Sequence, residues 1–361
     1  MVREVPHFTP TLPDVSVLMV VHDAERSVRR AIESIQNQTL KNIELIIVDA
    51  GSTDSTPRQL EALAERDLRL DVVRADECGR LEGLDLALER SRGSYVAILD
   101  QNGWARPTML ASLVERARDK NLELVIGGYA LDLAECGARF AERVVDAGDT
   151  SYLTQHDFRA DAWRLFSSGQ LLPASAKLFS REAIEGSMAR FSAGMGTDHG
   201  FTLSVLRDVE KVGVVAGECY RLDRLVRASA LQGGIPVSFR SLEAEHTALL
   251  GLYRHWGLDG DAASMEMLQN RYVEQLVSCV EEICLTPSRL GGAQQRDAVA
   301  RMLGSEYARL AVSVARPRSN HVRSMLVPMR AQNVSLVCAQ ARLLSLLRRG
   351  QFLDVPADVF I

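Results

Sequence analysis

Several familiar nucleotide-binding signatures are missing from this sequence. The segment HDAERS at residues 22–27, which follows the first strongly apolar run, contains no glycine. Dinucleotide-binding sheets need glycines there because the backbone must approach the pyrophosphate closely, so a dinucleotide-dependent oxidoreductase is excluded. The pattern GxxxxGK[ST] is also absent, and this excludes a P-loop nucleotidase.

Cysteine pairs, long apolar runs and excess basic charge are missing as well. The six cysteines form no CxxC pair, so in a chain of 361 residues we expect reduced, mostly buried thiols and a cytoplasmic location. The N-terminal stretch MVREVPHFTPTLPD has no apolar core of signal-peptide length, and no apolar run is long enough to span a bilayer, which predicts a soluble or peripheral protein. The net charge of -5 argues against a general nucleic-acid binder, because phosphate contacts need a basic surface.

The first third of the chain contains three short apolar runs that end in polar residues. They read VSVLMVVHDAE, IELIIVDAGSTDST and GSYVAILDQNGW. Consecutive apolar residues are typical of strands buried on both faces of a parallel sheet, and the segments between the runs have helical spacing. The sequence therefore predicts a doubly wound α/β sheet. Because ligands bind outside the carboxyl ends of such strands, His22, Asp23, Asp49 and Asp100 are expected to converge on one site.

These motifs resemble family 2 glycosyltransferases of the GT-A fold, which typically read VSVIIPVYN, IVDDGSTD and LDSDDW. The matching stretches are Val15 to Asp23, Ile47 to Asp54 and Leu99 to Trp104. GTDHGF at 196–201 and the pair Tyr220-Arg221 extend the resemblance to about residue 230. The family implies a Rossmann-like mixed sheet, a nucleotide-sugar donor, a divalent metal (Mn or Mg) and an inverting displacement.

The resemblance also implies a domain division. Residues 1–235 are expected to form the GT-A domain, with a nucleotide-sugar-binding half at 1–128 and an acceptor half at 129–235. In residues 131–173 the periodicity weakens, and we expect loops and short helices that cover the sheet. Residues 236–361 read as a C-terminal helical region.

Site residues follow from the same register. Asp198 is the expected catalytic base, although an Asp there would also suit a cap for the helix that begins near Phe201. The expected metal ligands are Asp100 and Asn102. The expected donor-binding residues are Val21, His22, Asp23, Asp49, Asp100, Gln101, Arg221 and Arg224. Trp104, Lys177 and His199 are expected on the acceptor side, where Lys177 would approach a phosphate or sugar; a solvated or strand-edge lysine is the alternative.

Three motifs depart from the family pattern. Ala50 replaces an Asp that in relatives tends to bind the uracil ring, and a methyl group cannot accept that hydrogen bond. Asn102 replaces a carboxylate of the metal motif and offers only a neutral oxygen, so Arg221, Arg224 or Arg227 could supply the diphosphate's counter-charge instead. Leu84-Asp85 stands where relatives often have Arg-Asn.

The last stretch, Arg316 to Arg349, contains seven arginines and no Asp or Glu. Interleaved with apolar residues, it predicts peripheral contact of the C-terminal helices with an anionic membrane surface. The alternative is a helical cap or a homo-oligomer contact in which the arginines pair with acidic residues elsewhere.

Taken together, the sequence predicts a cytoplasmic hexosyltransferase, located at the inner face of the plasma membrane. It would transfer a hexose from a nucleotide-sugar donor to a cell-surface glycan or a lipid-linked acceptor. The alternative is a catalytically degenerate relative that acts as a partner or scaffold in glycan assembly.

Overall fold

The computed structural model describes residues 12–135, 138–193, 195–225, 231–232, 234–284 and 290–347. The strands are β1 (Val15–Val21), β2 (Ile43–Asp49), β3 (Leu70–Arg74), β4 (Tyr95–Leu99), β5 (Gly103–Ala105), β6 (Leu124–Glu135), β7 (Ala138–Val145), β8 (Thr150–Tyr152), β9 (Lys177–Ser180), β10 (Val212–Leu225), β11 (Leu231–Gln232) and β12 (Ile235–Pro236). The helices are α1 (Val28–Gln36), α2 (Thr56–Ala64), α3 (Arg80–Arg90), α4 (Met109–Lys120), α5 (Gln155–Ser168), α6 (Arg181–Ser187), α7 (His199–Leu206), α8 (Val237–His255), α9 (Ala262–Cys284), α10 (Gly292–Leu303), α11 (Glu306–Val314), α12 (Asn320–Arg330) and α13 (Val334–Leu347).

The main sheet is mixed and has ten strands. Its path runs β3-β2-β1-β4-β9-β6-β10-β5, with β7 paired to β6 and β8 paired to β10. Strands β1 to β4 are parallel, β9 is antiparallel to both of its neighbours, and β10 is parallel to β6. The carboxyl ends of β1, β2 and β4 therefore lie side by side. The expected mixed α/β sheet is confirmed.

The central strands are apolar at consecutive positions because helices cover both faces of the sheet. Leu18 and Val20 of β1 join the core that contains α3 and α5. Val17 and Met19, one residue away on the same strand, join the core beneath α1, α2 and α4. Since successive side chains of a strand point to opposite faces, a two-sided core requires this uninterrupted run.

Residues 131–173 are more regular than the sequence analysis expected. Strand β7 pairs antiparallel with β6 and extends the sheet. Helix α5 has 14 residues; the Thr154 hydroxyl accepts a bond from the Asp157 N–H at 3.2 Å, and Gly169 ends the helix with a φ of 80°. Its buried residues, Phe158, Ala162, Leu165 and Phe166, have the spacing of an amphipathic helix, which the scattered aromatic residues had obscured.

The helices after β12 pack around α9, which contacts α8, α10, α11, α12 and α13. Helix α5 also touches α9, and α7 touches α8, so these helices are joined to the sheet core. Within the described residues, none of the helices combines the length and apolarity needed to cross a bilayer. The domain boundary at residue 235 stays a prediction.

Candidate active site

A cleft of about 700 Å³ opens at the carboxyl ends of β1, β2 and β4. It lies where the sheet order reverses direction around β1, the position at which open α/β sheets bind nucleotides. The residues that line it are Val20, Val21, His22, Ala50, Glu77, Cys78, Gly79, Arg80, Asp100, Gln101, Asn102, Gly196, Thr197, Asp198 and Arg224. Seven of the sequence-predicted residues therefore meet here. They are Val21, His22, Gln101 and Arg224 from the donor set, Asp100 from the donor and metal sets, Asn102 from the metal set, and the expected base Asp198.

His22 connects three strand ends at the mouth of the cleft. Its backbone N–H donates to Oε1 of Gln101 at 2.8 Å, and its Nδ1 lies 2.9 Å from the Ala50 carbonyl oxygen. His22 follows β1, Ala50 follows β2 and Gln101 comes shortly after β4. These two contacts hold the three loops at a fixed spacing around the cleft.

Asp23 and Asp49 shape the neighbouring loop and are not among the lining residues. Oδ1 of Asp23 accepts from the Thr53 N–H at 2.8 Å, and this bond is the main reason why the Asp23 pKa is lowered. Asp49 is buried, and its Oδ1 accepts from the Ser52 N–H at 2.9 Å. Both carboxylates thus act on the 50–54 turn, which supplies Ala50 to the wall of the cleft.

Four charged side chains meet at the base of the cleft. Nη2 of Arg80 lies 3.3 Å from Oδ2 of Asp198 and 3.8 Å from Oδ2 of Asp100. Nη1 of Arg224 lies 3.8 Å from the same Asp100 oxygen. The two carboxylate side chains are only 2% and 5% exposed, whereas those of Arg80 and Arg224 are 38% and 26% exposed. The buried acids are therefore covered by two arginines that remain accessible from the cleft.

The Asp198 carboxylate pairs with Arg80 instead of capping the helix that follows it. Asp198 precedes α7, yet within the described residues its side chain makes no capping hydrogen bond. Burial raises the pKa of Asp198, but the attraction of Arg80, helped by His199, outweighs burial and the net shift is downward. An ionised, buried carboxylate therefore borders the cleft.

The turn after β4 is fixed by Asp100 and Tyr220. Oδ1 of Asp100 accepts from the Asn102 N–H at 2.9 Å, and the Asp100 N–H donates to the Tyr220 hydroxyl at 3.0 Å. A Cβ placed on Gly103 would lie 1.9 Å from that hydroxyl. Glycine at 103 is therefore what allows the Tyr220 ring to reach the Asp100 backbone.

The residues present fit a divalent cation poorly. In the described part of the chain, no group of three or more His, Cys, Asp or Glu side chains could hold a metal ion. Asp100 is the only carboxylate of the motif, and its Oδ2 already faces two guanidinium groups, while Asn102 adds only a neutral amide. Hard cations prefer charged oxygens, so the expected Asp100 and Asn102 pair is a weak donor set.

Four other residues expected at the site lie elsewhere. Arg221 contacts Glu142, with Asp132 at 3.4 Å and Glu218 at 3.3 Å. Trp104 lies beneath the Arg30 guanidinium, 3.8 Å from its ring centroid. None of these residues lines the cleft, so the structure does not bring Arg221 or Trp104 to the candidate site.

Lys177 and His199 are buried in the interior. Nζ of Lys177 donates to the carbonyl oxygens of Gln170 and Pro173, so this side chain holds the 170–173 loop. Nδ1 of His199 lies 2.8 Å from Oε2 of Glu245 in α8. Neither residue lines the cleft. Arg227 lies outside the described residues.

Arg80 and the segment before it, Glu77 to Gly79, line the cleft but were not expected there from the sequence. Arg80 is the first residue of α3, and Leu84, which stands where relatives have an arginine, is one helical turn further on the same face. The available signal was an arginine directly after Gly79 at a helix start, one turn before the missing family residue.

Residues 16–184 match the family model described as "Glycosyl transferase family 2". The chain is 24% identical over 288 residues to the uncharacterized glycosyltransferase EpsJ of Bacillus subtilis (strain 168), covering 77% of this chain and 80% of EpsJ. It is 26% identical over 266 residues to the succinoglycan biosynthesis protein ExoO of Rhizobium meliloti (strain 1021), covering 71% of this chain and 72% of ExoO. Other matches span only 36%, 57% and 27% of three further relatives.

Among solved structures, S. aureus TarS 1–349 in complex with UDP-GlcNAc has the same fold. The TM-score is 0.59 at 14% identity, covering 94% of this chain and 93% of TarS 1–349. The mixed sheet and the cleft at its strand ends define a GT-A fold. Residues 16–184, a little under half of the chain, are similar to glycosyl transferase family 2.

Proposed function

We propose that this protein transfers a hexose from a nucleotide-sugar donor to a glycan or lipid-linked acceptor by one inverting displacement, with Asp198 as the base. The observation that carries the proposal is the position of the Asp198 carboxylate. It is buried and ionised, and it borders the same cleft as Asp100 and the strand ends that would hold a nucleotide.

The proposed chemistry uses the two sides of the cleft differently. The acceptor hydroxyl gives its proton to Asp198 while its oxygen attacks the anomeric carbon of the sugar. The bond from that carbon to the diphosphate oxygen breaks, and the electron pair leaves with the nucleoside diphosphate. Positive groups beside the leaving oxygen stabilise this charge, and Arg80 and Arg224 are the arginines at the cleft base.

The names of the relatives support a role in polysaccharide synthesis. ExoO is a succinoglycan biosynthesis protein, and TarS was solved with UDP-GlcNAc. We extend these classes, a glycan acceptor and a nucleotide-sugar donor, to this chain. We propose no particular nucleobase for the donor. Ala50 presents only a methyl group where relatives have an Asp, and its carbonyl oxygen already lies against His22.

For the C-terminal helices we propose contact with the inner face of the plasma membrane, where a lipid-linked acceptor would be available to a cytoplasmic enzyme. Arg316, Arg318 and Arg323 are exposed, and so are Val327 and Leu343. Other arginines serve the packing of this region, as Arg330 donates to the carbonyl oxygens of Val312 and Ala315. The homo-oligomer contact remains the alternative, and Arg348 and Arg349 lie outside the described residues.

Calorimetric titration of the protein with UDP, GDP and CDP tests the donor site. We expect one of the three to bind, and we expect Asp198→Asn to keep that binding while transfer to acceptor falls by roughly 10²- to 10⁴-fold. Asp119→Asn, at an exposed position on α4, is the matched control and should retain full turnover.

The scaffold remains a second candidate because Ala50 and Asn102 both lack a carboxylate that the family uses. It predicts that none of the three nucleotides binds and that Asp198→Asn changes nothing. Nucleotide binding combined with a turnover defect in Asp198→Asn would rule it out.

A further inference from the structure

Arg80 is shared between two carboxylates that have different tasks in the proposed reaction. A single nitrogen, Nη2, lies within 3.3 Å of the proposed base Asp198 and 3.8 Å of Asp100, the remaining acidic residue of the metal motif. The Arg80 side chain is 38% exposed and lines the cleft. It can therefore reach a ligand in the cleft by a change of side-chain rotamer.

Arg224 approaches the same place from β10. Its Nη1 is 3.8 Å from the Asp100 oxygen that Arg80 also faces. Guanidinium groups bind phosphate oxygens bidentately and keep their charge when partly buried. Two guanidinium groups therefore lie beside the strand ends, where Asn102 replaces the second carboxylate of the metal motif. They supply permanent positive charge at the place where the family's metal would meet the diphosphate.

We propose that Arg80 and Arg224 hold the donor diphosphate in place of a divalent cation, and that Arg80 leaves Asp198 to do so. This inference rests on the proposed function. Its consequence is an order of events: Asp198 is paired with a cation while the cleft is empty and becomes available as a base only after the donor has bound. Donor binding and base activation are thereby coupled through one side chain.

The first test compares nucleoside diphosphate and monophosphate binding by calorimetry, using whichever of UDP, GDP and CDP binds best. We expect the diphosphate affinity of the wild type to change less than about twofold between Mn²⁺ and EDTA. Arg80→Gln should weaken diphosphate binding about tenfold or more and leave monophosphate binding nearly unchanged, since a charged hydrogen bond to the β-phosphate is lost. Arg90→Gln, at the other end of α3, should match the wild type.

The possible results distinguish a failure of the proposed function from a failure of the proposed arginine role. If no nucleotide binds to the wild type, the proposed function fails and this inference fails with it. If a nucleotide binds but Mn²⁺ strengthens the binding tenfold, or if Arg80→Gln weakens monophosphate and diphosphate binding equally, the inference alone is overturned. A merely structural role of Arg80 would give equal losses for both nucleotides.

The second test detects the release of Asp198. When Arg80 moves away, Asp198 loses its cation and the protein should take up protons, because the other neighbours of the carboxylate, Arg224 and His199, contribute less than Arg80. Calorimetry of diphosphate binding at about pH 5.5 in two buffers of different ionisation enthalpy measures this uptake. We expect less uptake in Asp198→Asn than in the wild type. Equal uptake in both would overturn the coupling.

Discussion

At the scale of single residues, Gly103 determines the shape of the cleft base. The family motif has an Asp at this position, whereas here the Tyr220 hydroxyl occupies the space of a Cβ and accepts the Asp100 N–H. Tyr220 is fully buried, and because protein interiors are close-packed its ring could shift only by displacing neighbouring atoms. The absence of one side chain thus lets Tyr220 fix the orientation of Asp100.

We predict that Gly103→Ala destabilises the protein and weakens nucleotide binding. Because a Cβ would lie 1.9 Å from the Tyr220 hydroxyl, the ring must shift, and overpacking of this kind costs about 1 to 3 kcal/mol. Urea denaturation measures the loss, and calorimetry measures the nucleotide affinity. Gly186→Ala in α6, where nothing lies within 4 Å of an added Cβ, is the control and should not be less stable. Equal stability of the two variants would contradict the prediction.

The sequence predicted which residues line the cleft where they directly adjoin a predicted strand or helix, but not where the direction of a side chain decides. Asp100, Gln101 and Asp198 follow or precede predicted elements directly, and all three line the cleft. Arg221 and Arg224 were both expected there, but they are three residues apart on β10 and so point to opposite faces of the strand. That parity was readable from the sequence, whereas the closeness of Arg80 to Asp198 depends on tertiary packing.

At the scale of elements, α3 holds the loop that leads to Asp198. Oδ1 of Asp85 accepts from the Phe191 N–H at 2.7 Å, and Oδ2 accepts from the Ser192 N–H at 2.9 Å. Phe191 then stacks on Phe201 of α7, with ring centroids 3.9 Å apart. The same helix therefore provides Arg80 at its start and an anchor for the loop before the proposed base.

We predict that Asp85→Asn lowers the free energy of unfolding by about 1 to 3 kcal/mol, since an amide can accept only one of the two backbone bonds and leaves the other N–H unsatisfied. Chemical denaturation provides the measurement. Glu89→Gln, exposed on the same helix, should have no such effect. If both variants unfold at the same denaturant concentration as the wild type, the anchor has no energetic role.

The elements themselves were predictable to different degrees. The parallel strands could be predicted from the sequence, because uninterrupted apolar runs allow few other structures. Strand β7 could not, since its sequence ARFAERVV carries charges and its structure depends on pairing with β6. Short β5 was also missed, as three residues give no periodicity and only pairing with β10 defines the strand.

At the scale of the whole molecule, a buried polar network joins the sheet domain to the C-terminal helices. Glu245 of α8 receives bonds from Arg271 of α9 at 2.7 Å and from Gln275 at 3.2 Å, and it meets His199 of α7. Burial raises the pKa of Glu245, but Arg271 and His199 outweigh it and keep the carboxylate ionised. His199, the residue beside the proposed base, is thus held by α8, the first of the helices that follow β12.

The neighbouring residue, His246, makes stability depend on pH. It is 2% exposed and packs against Tyr272 and Tyr307, and burial lowers its pKa to about 4, Glu245 and Arg271 acting in opposite directions. The unfolded chain binds a proton at about pH 6.5, so stability is complete above that pH and is lost as the pH falls towards 4. The total loss from this group is roughly 3 kcal/mol.

Melting temperatures measured between pH 7.5 and pH 4 test this, using about half-unit steps to resolve the histidine transition. We expect His246→Gln to flatten the acid limb of the curve, while His156→Gln, at an exposed position on α5, should preserve it. Parallel curves for all three proteins would show that His246 is not the responsible group.

The contact between Trp256 and the sheet domain has a consequence for recombination among relatives. Trp256, which follows α8, packs edge-on against Phe158 of α5 and donates from Nε1 to the Arg207 carbonyl oxygen. The segment that follows α8 is thus packed directly against α5, which covers one face of the main sheet. In a chimera joined near residue 236, the helices of one relative would have to pack against the α5 surface of another. Recombination that keeps this contact must therefore exchange α5 and α8 together.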